Sequence, residues 1–87
     1  MNELNRDNLT FDGRAVYRIR VRGRIRASWS DRLEGMTITV QTVERDPPVT
    51  TLVGELGDQA SLVRVLNTLY ELHLPVLSIK CLNAVSK

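Results

Sequence analysis

The sequence predicts a single α+β domain, and three observations carry that prediction. The run AVYRIRVRGRIRA sets Arg18, Arg20, Arg22, Arg24 and Arg26 against Tyr17, Ile19, Val21, Gly23 and Ile25. A period of two is the mark of a strand buried on one face. Farther on, Leu62, Val65, Leu66 and Leu69 recur at helical spacing, which gives an apolar stripe wide enough to cover a sheet. Three shorter extended runs are separated from these by Gly- and Pro-containing breaks.

Taken in order, the first strand is expected from about Ala15 to Ile25. Its arginines recur about every 7 Å, two residues at roughly 3.3 Å each. Like charges held that close repel, so this face must meet water, carboxylates or an anionic partner. The next segment, ASWSDRLEG from Ala27 to Gly35, reads as a short helical turn. Ser28 or Ser30 can cap it, Asp31 lies near its N-terminus, and Gly35 supplies a stop. Trp29 and Leu33 are four apart, share one face of that turn, and plug one end of the core.

A second strand is expected over Met36 to Val43, with Met36, Ile38 and Val40 inward and Thr37, Thr39 and Gln41 outward. Glu44 to Pro48 forms a turn, because proline fixes φ and cannot continue a central strand. The third strand, Val49 to Leu56, turns Leu52, Gly54 and Leu56 inward and Thr51, Val53 and Glu55 outward. Asp58 caps the helix QASLVRVLNTLYELH; His73 stands at its C-terminal cap and Pro75 blocks its continuation. The last strand, Val76 to Leu82, alternates Leu77, Ile79 and Cys81 toward the core, so Cys81 is expected as a buried packing residue.

The order β, helical turn, β, β, α, β is that of a ferredoxin-like split βαβ whose first helix has shrunk to a turn. By that analogy a four-stranded antiparallel sheet has strands one and three at its centre, and the long helix covers one face. The other face is open and carries the arginine ladder with Thr37, Thr39, Gln41, Thr51, Val53, Glu55, Ser78 and Lys80. The domain is expected over residues 14–83, with a polar leader at 1–13 and a tail at 84–87.

Composition excludes several classes. The 87 residues are 43% hydrophobic and 25% charged, with a net charge of +2, so this is no polycation. Ten of the twelve basic residues are arginine, the side chain better suited to bidentate contact with carboxylates and phosphates. The one cysteine cannot form an intramolecular disulfide. With no apolar run near 18 residues and no signal-like segment, the cytoplasm is the expected compartment and no membrane role is read.

No catalytic, cofactor or metal residue is assigned. Metal binding needs clustered ligands, and His73 and Cys81 stand eight apart in different elements. Ser28, Ser30 and Asp31 are accounted for by capping, and Gly54 and Gly57 lack the spacing and lysine of a phosphate loop.

The expected role is a non-enzymatic interaction or regulatory module. It self-associates as a homo-oligomer or binds an acidic protein partner through Arg18, Arg20, Arg22, Arg24, Arg26, Thr37, Thr39, Thr51 and Lys80. The alternative is weak, largely sequence-independent nucleic-acid binding by the same face. Against it, RNA-recognition sheets stack bases on aromatics, whereas the outward positions of the central strands are Arg, Thr, Val and Glu. A small-molecule sensor between strand ends and helix rests on fold analogy alone.

From Tyr17 onward four segments recur as a set: YRIRVRG at 17–23, WSDRLEGMTI at 29–38, DQASL at 58–62 and LPVLSI at 74–79. In these the chain resembles a family of small, mostly uncharacterised bacterial proteins with the patterns Y-x-I-x-V-x-G, W-S-x-x-x-E-G-[LM]-T-I, D-Q-A-x-L and L-P-[LV]-L-S-[IV]. The resemblance implies the fold and names no reaction. Members often have glycine where this chain has His73, so a left-handed cap is expected there at some strain. They often carry an aromatic pair where it has Arg32 and Leu33.

Overall fold

The computed structural model describes residues 14–85; the expected leader and the last two residues of the tail lie outside the described residues. The elements are β1 (Arg14–Arg22), a 3-10 helix (Ala27–Leu33), β2 (Thr37–Gln41), β3 (Val49–Leu56), α1 (Gln59–Glu71) and β4 (Val76–Val85). The sheet order is β2-β3-β1-β4 with every neighbouring pair antiparallel. β1 and β3 are therefore central and β2 and β4 are edges, the α+β arrangement expected from the sequence.

The alternation of β1 sorts its side chains. Ala15, Tyr17, Ile19 and Val21 are buried, and with Leu52, Leu56, Val65, Leu69, Leu33, Met36 and Ile25 they form the core. Ile19, Leu52, Val65 and Leu69 are fully enclosed between sheet and helix. Gly54 of β3 lets the chain at Met36 come close, since a Cβ there would lie 3.0 Å from the Met36 Cα.

β1 ends at Arg22, three residues before the expected Ile25. Gly23 turns the chain at φ 119°, a region that L side chains avoid. Its N–H donates to the Pro48 carbonyl at 2.7 Å. The chain then passes around the end of the sheet to the helix side. There the hydroxyl of buried Thr50 donates to the Gly23 carbonyl at 2.6 Å and accepts from the Ile25 N–H at 3.2 Å. Ile25 is buried by this path, while Arg24 and Arg26 flank it, exposed.

The 3-10 helix stands where a ferredoxin-like fold would have its first helix. Its cap differs from the expectation. Arg26 is the N-cap residue, with no side-chain hydrogen bond, and Ser28 is exposed. The Ser30 hydroxyl instead donates to the Met36 carbonyl at 2.8 Å, and Gly35 N–H donates to the Ser30 carbonyl. Both bonds close the C-terminal side of the turn and hold Met36 out of β2. Leu33 is fully buried, whereas Trp29 packs against the core only in part and carries the Arg32 guanidinium 5.0 Å from its ring centroid.

α1 begins as the sequence predicts. The Asp58 carboxylate accepts the Ser61 N–H at 2.9 Å, and that hydrogen bond holds its carboxyl below the usual aspartate range. The helix ends in paired Schellman bonds, His73 N–H to the Tyr70 carbonyl and Leu74 N–H to the Leu69 carbonyl. These require His73 at φ 60°. A His73→Gly variant is therefore expected to gain about 0.5–1 kcal/mol in urea unfolding; a loss of stability would contradict this reading of the cap.

β4 runs to Val85, three residues beyond the expected end. Cys81 is exposed rather than buried, because a single helix with a short turn beside it does not reach over the β4 edge. Ile79 is 45% exposed for the same reason, and Leu77, at a register shift of β4, is exposed to the same extent.

Candidate functional site

Beside a row of Glu55, Val16 and Asn83 near Arg14, the face of the sheet opposite α1 carries three further rows of side chains, fixed by strand register. Thr37, Val53, Arg18 and Lys80 form one row, and Thr39, Thr51, Arg20 and Ser78 form the next. Gln41, Val49 and Arg22 form the third. Of the nine residues that the sequence assigned to a binding face, seven stand here together. Arg24 and Arg26 do not, since β1 ends before them and their connector has crossed to the helix side.

Charge is uneven across the face. Arg18 and Lys80 lie directly opposite each other on β1 and β4, an unfavourable like-charge pair. Arg20 and Arg22 continue the positive column along β1. The nearby carboxylate of Glu55 is held by Arg14 at 3.1 Å, beyond the end of the column. Among the described residues, neither Arg18, Arg20, Arg22 nor Lys80 makes an ion pair. Twist of the sheet leaves an open depression of about 380 Å³ lined by Arg18, Arg20, Thr39, Gln41 and Thr51.

Two guanidiniums beside threonine hydroxyls and an amide present many donors and few acceptors, so the depression suits carboxylate or phosphate oxygens. Among the described residues no group of three His, Cys, Asp or Glu could hold a metal ion. No helix among them is long and apolar enough to cross a membrane.

Two residues that shape the site stand outside the expected set. Arg14 has the same parity as Arg18, so the ladder's own period could have found it. Thr50 sits on the core side, where its hydroxyl pins the connector; only the partner carbonyl and N–H reveal that role. Tyr17 is also buried, and its hydroxyl has no hydrogen-bond partner among the described residues. Burial raises its phenol above the ordinary range, and neighbouring Cys81 adds to the rise.

Fold and face together define a small α+β domain with one helix-covered sheet face and one open, basic one. Residues 16–80 match the family model of a domain of unknown function, DUF8691, and the chain belongs to that family. No curated protein and no solved structure matches the chain.

Proposed function

We propose that this protein is a non-enzymatic interaction module that binds an acidic protein partner through the open sheet face. The observation that supports this most is the Arg18–Lys80 cross-strand pair, continued by Arg20 and Arg22, with the neighbouring Glu55 carboxylate already engaged by Arg14. Like charges opposed on a sheet cost stability in the isolated domain. An anionic surface removes that cost and gains charge-assisted hydrogen bonds. Two copies stacked face to face would oppose their own guanidinium columns, so charge favours an acidic partner over self-association through this face. Nucleic-acid phosphates would meet the same charges, but the rows offer no aromatic side chain for base stacking. A cytoplasmic setting agrees with the exposed thiol of Cys81.

Fluorescence anisotropy with a poly-glutamate peptide and with single-stranded RNA tests the reading. The peptide is expected to bind, to weaken as salt rises, and to lose about 100-fold in affinity with Arg20→Glu and Arg22→Glu combined. Both positions are exposed, so circular dichroism should show an unchanged fold. Peptide binding indifferent to the double reversal, or RNA binding tighter than peptide, would overturn it.

A further inference from the structure

The second unassigned surface is apolar and lies at the opposite side of the sheet. Arg64 of α1 donates to Glu34 beside the 3-10 helix, at 3.2 and 3.4 Å, and so fixes how the helix is rotated. With Ser61, Val65 and Leu69 facing the core and Arg64 facing the 3-10 helix, the 100° step of an α-helix turns Leu62, Leu66 and Tyr70 to the other flank. The 3-10 helix packs beside β2, so that flank looks toward β4. Below it, Ile79 pairs with Ile19 and Cys81 with Tyr17, which places both on the helix side of β4. The result is an apolar strip that no other described residue covers, in which Ile79 is 45% exposed, Val76 41% and Tyr70 81%, with Leu77 (45%) and Leu82 (43%) beside it at the two register shifts of β4.

We propose that a second copy of this chain covers the strip, with β4 pairing antiparallel to its own copy about a twofold axis perpendicular to the sheet. Three features select this occupant. β4 is an edge strand of ten residues with no proline; its guards against edge pairing are Lys80 and the register shifts that flank Ser78–Cys81, and between those shifts the edge is regular and open to a partner strand. The strip itself carries no charge, and two copies can meet there without opposing like charges. Its exposed side chains amount to on the order of 500 Å² per copy, hence about 1,000 Å² in a symmetric pair, the lower bound of a stable interface.

Register follows from face and charge. A slip of one residue would put core-side chains opposite open-face chains, leaving alternate registers. Pairing centred on Lys80 would oppose two ammonium groups, and pairing centred on Cys81 would set Ile79 against Asn83. Pairing centred on Ile79 sets Leu77 opposite Cys81 and Ser78 opposite Lys80. The β1–β4 ladder is regular from Ser78 to Cys81, with shifts on either side, so this centre lies in the undistorted part of the edge. The product is an eight-stranded sheet with both α1 flanks over the seam and both basic faces on one side. It does not rest on the acidic-partner reading, which concerns the opposite face.

Sedimentation velocity over the micromolar range should show a monomer–dimer equilibrium. Ile79→Lys sets two lysines on the axis and is expected to raise the dissociation constant at least about tenfold; at a 45%-exposed position its circular dichroism should match the wild type. Ile79→Cys combined with Cys81→Ser should oxidise to a disulfide-linked dimer. The wild-type thiols stand about 13 Å apart along the seam, four residues at roughly 3.3 Å, beyond disulfide reach, and should not link. A monomer throughout, a dimer indifferent to Ile79→Lys, or ready cross-linking of native Cys81 would each overturn the proposal.

Discussion

Replacing Gly23 with alanine is expected to destabilise the domain by about 2–4 kcal/mol, read as a lower urea midpoint at unchanged m-value. Two costs combine. The φ of 119° lies where a Cβ is disfavoured in any surroundings. The new methyl would also sit 2.6 Å from the Leu74 Cδ2, and Leu74 packs on the core cluster. Leu74 is a side-chain end and can swing aside, so the backbone term sets the floor of the estimate. Relaxing φ instead would pull the Gly23 carbonyl from the Thr50 hydroxyl and the Gly23 N–H from the Pro48 carbonyl. An alanine variant within about 0.5 kcal/mol of wild type, the range of a neutral surface change, would show that the connector does not take this path.

That corner also explains where the sequence misleads. Alternation runs unbroken from Tyr17 to Arg26, and nothing in its period marks where extended chain stops being paired strand. The marker is Gly23, which sits on the inward side of the pattern, where a core strand would carry a side chain. Read as a break, it separates Arg18, Arg20 and Arg22, which share the open face, from Arg24 and Arg26, which do not. By contrast β3 and the start of α1 were fully legible. Val49 to Leu56 is bounded by Pro48 and Gly57, and Asp58 has a backbone N–H three residues on to accept.

Cys81 illustrates a different failure. The alternation gives its side of the sheet, since it lies on the helix side opposite Tyr17. Facing the helix side does not bury a residue when the layer above is too narrow. A thirteen-residue helix and a seven-residue 3-10 turn cover β2, β3 and β1, and leave the β4 edge bare. How far a layer extends is a tertiary property that local periodicity does not carry.

This uneven coverage makes a second large effect predictable. Leu33→Ala is expected to cost about 2–5 kcal/mol, a large share of the 5–15 kcal/mol typical of such domains. Leu33 is the buried residue of the 3-10 helix, so its loss leaves a cavity between that turn, α1 and β2. The turn has few means of closing it. Its C-terminal side is tied by the Ser30–Met36 bond, by the Met36 N–H to the Leu33 carbonyl, and by Arg64 to Glu34. The informative comparison is Leu77→Ala, the same chemical change at a 45%-exposed position on β4. Measured at protein concentrations low enough to hold the chain monomeric, it should cost about 1 kcal/mol, less than half the Leu33 loss, because nearly half of its surface is already in water and no enclosed cavity is left. Equal losses at the two sites would mean that the β4 edge is as well covered within one chain as the 3-10 side. That result would remove the ground for placing a second copy against it.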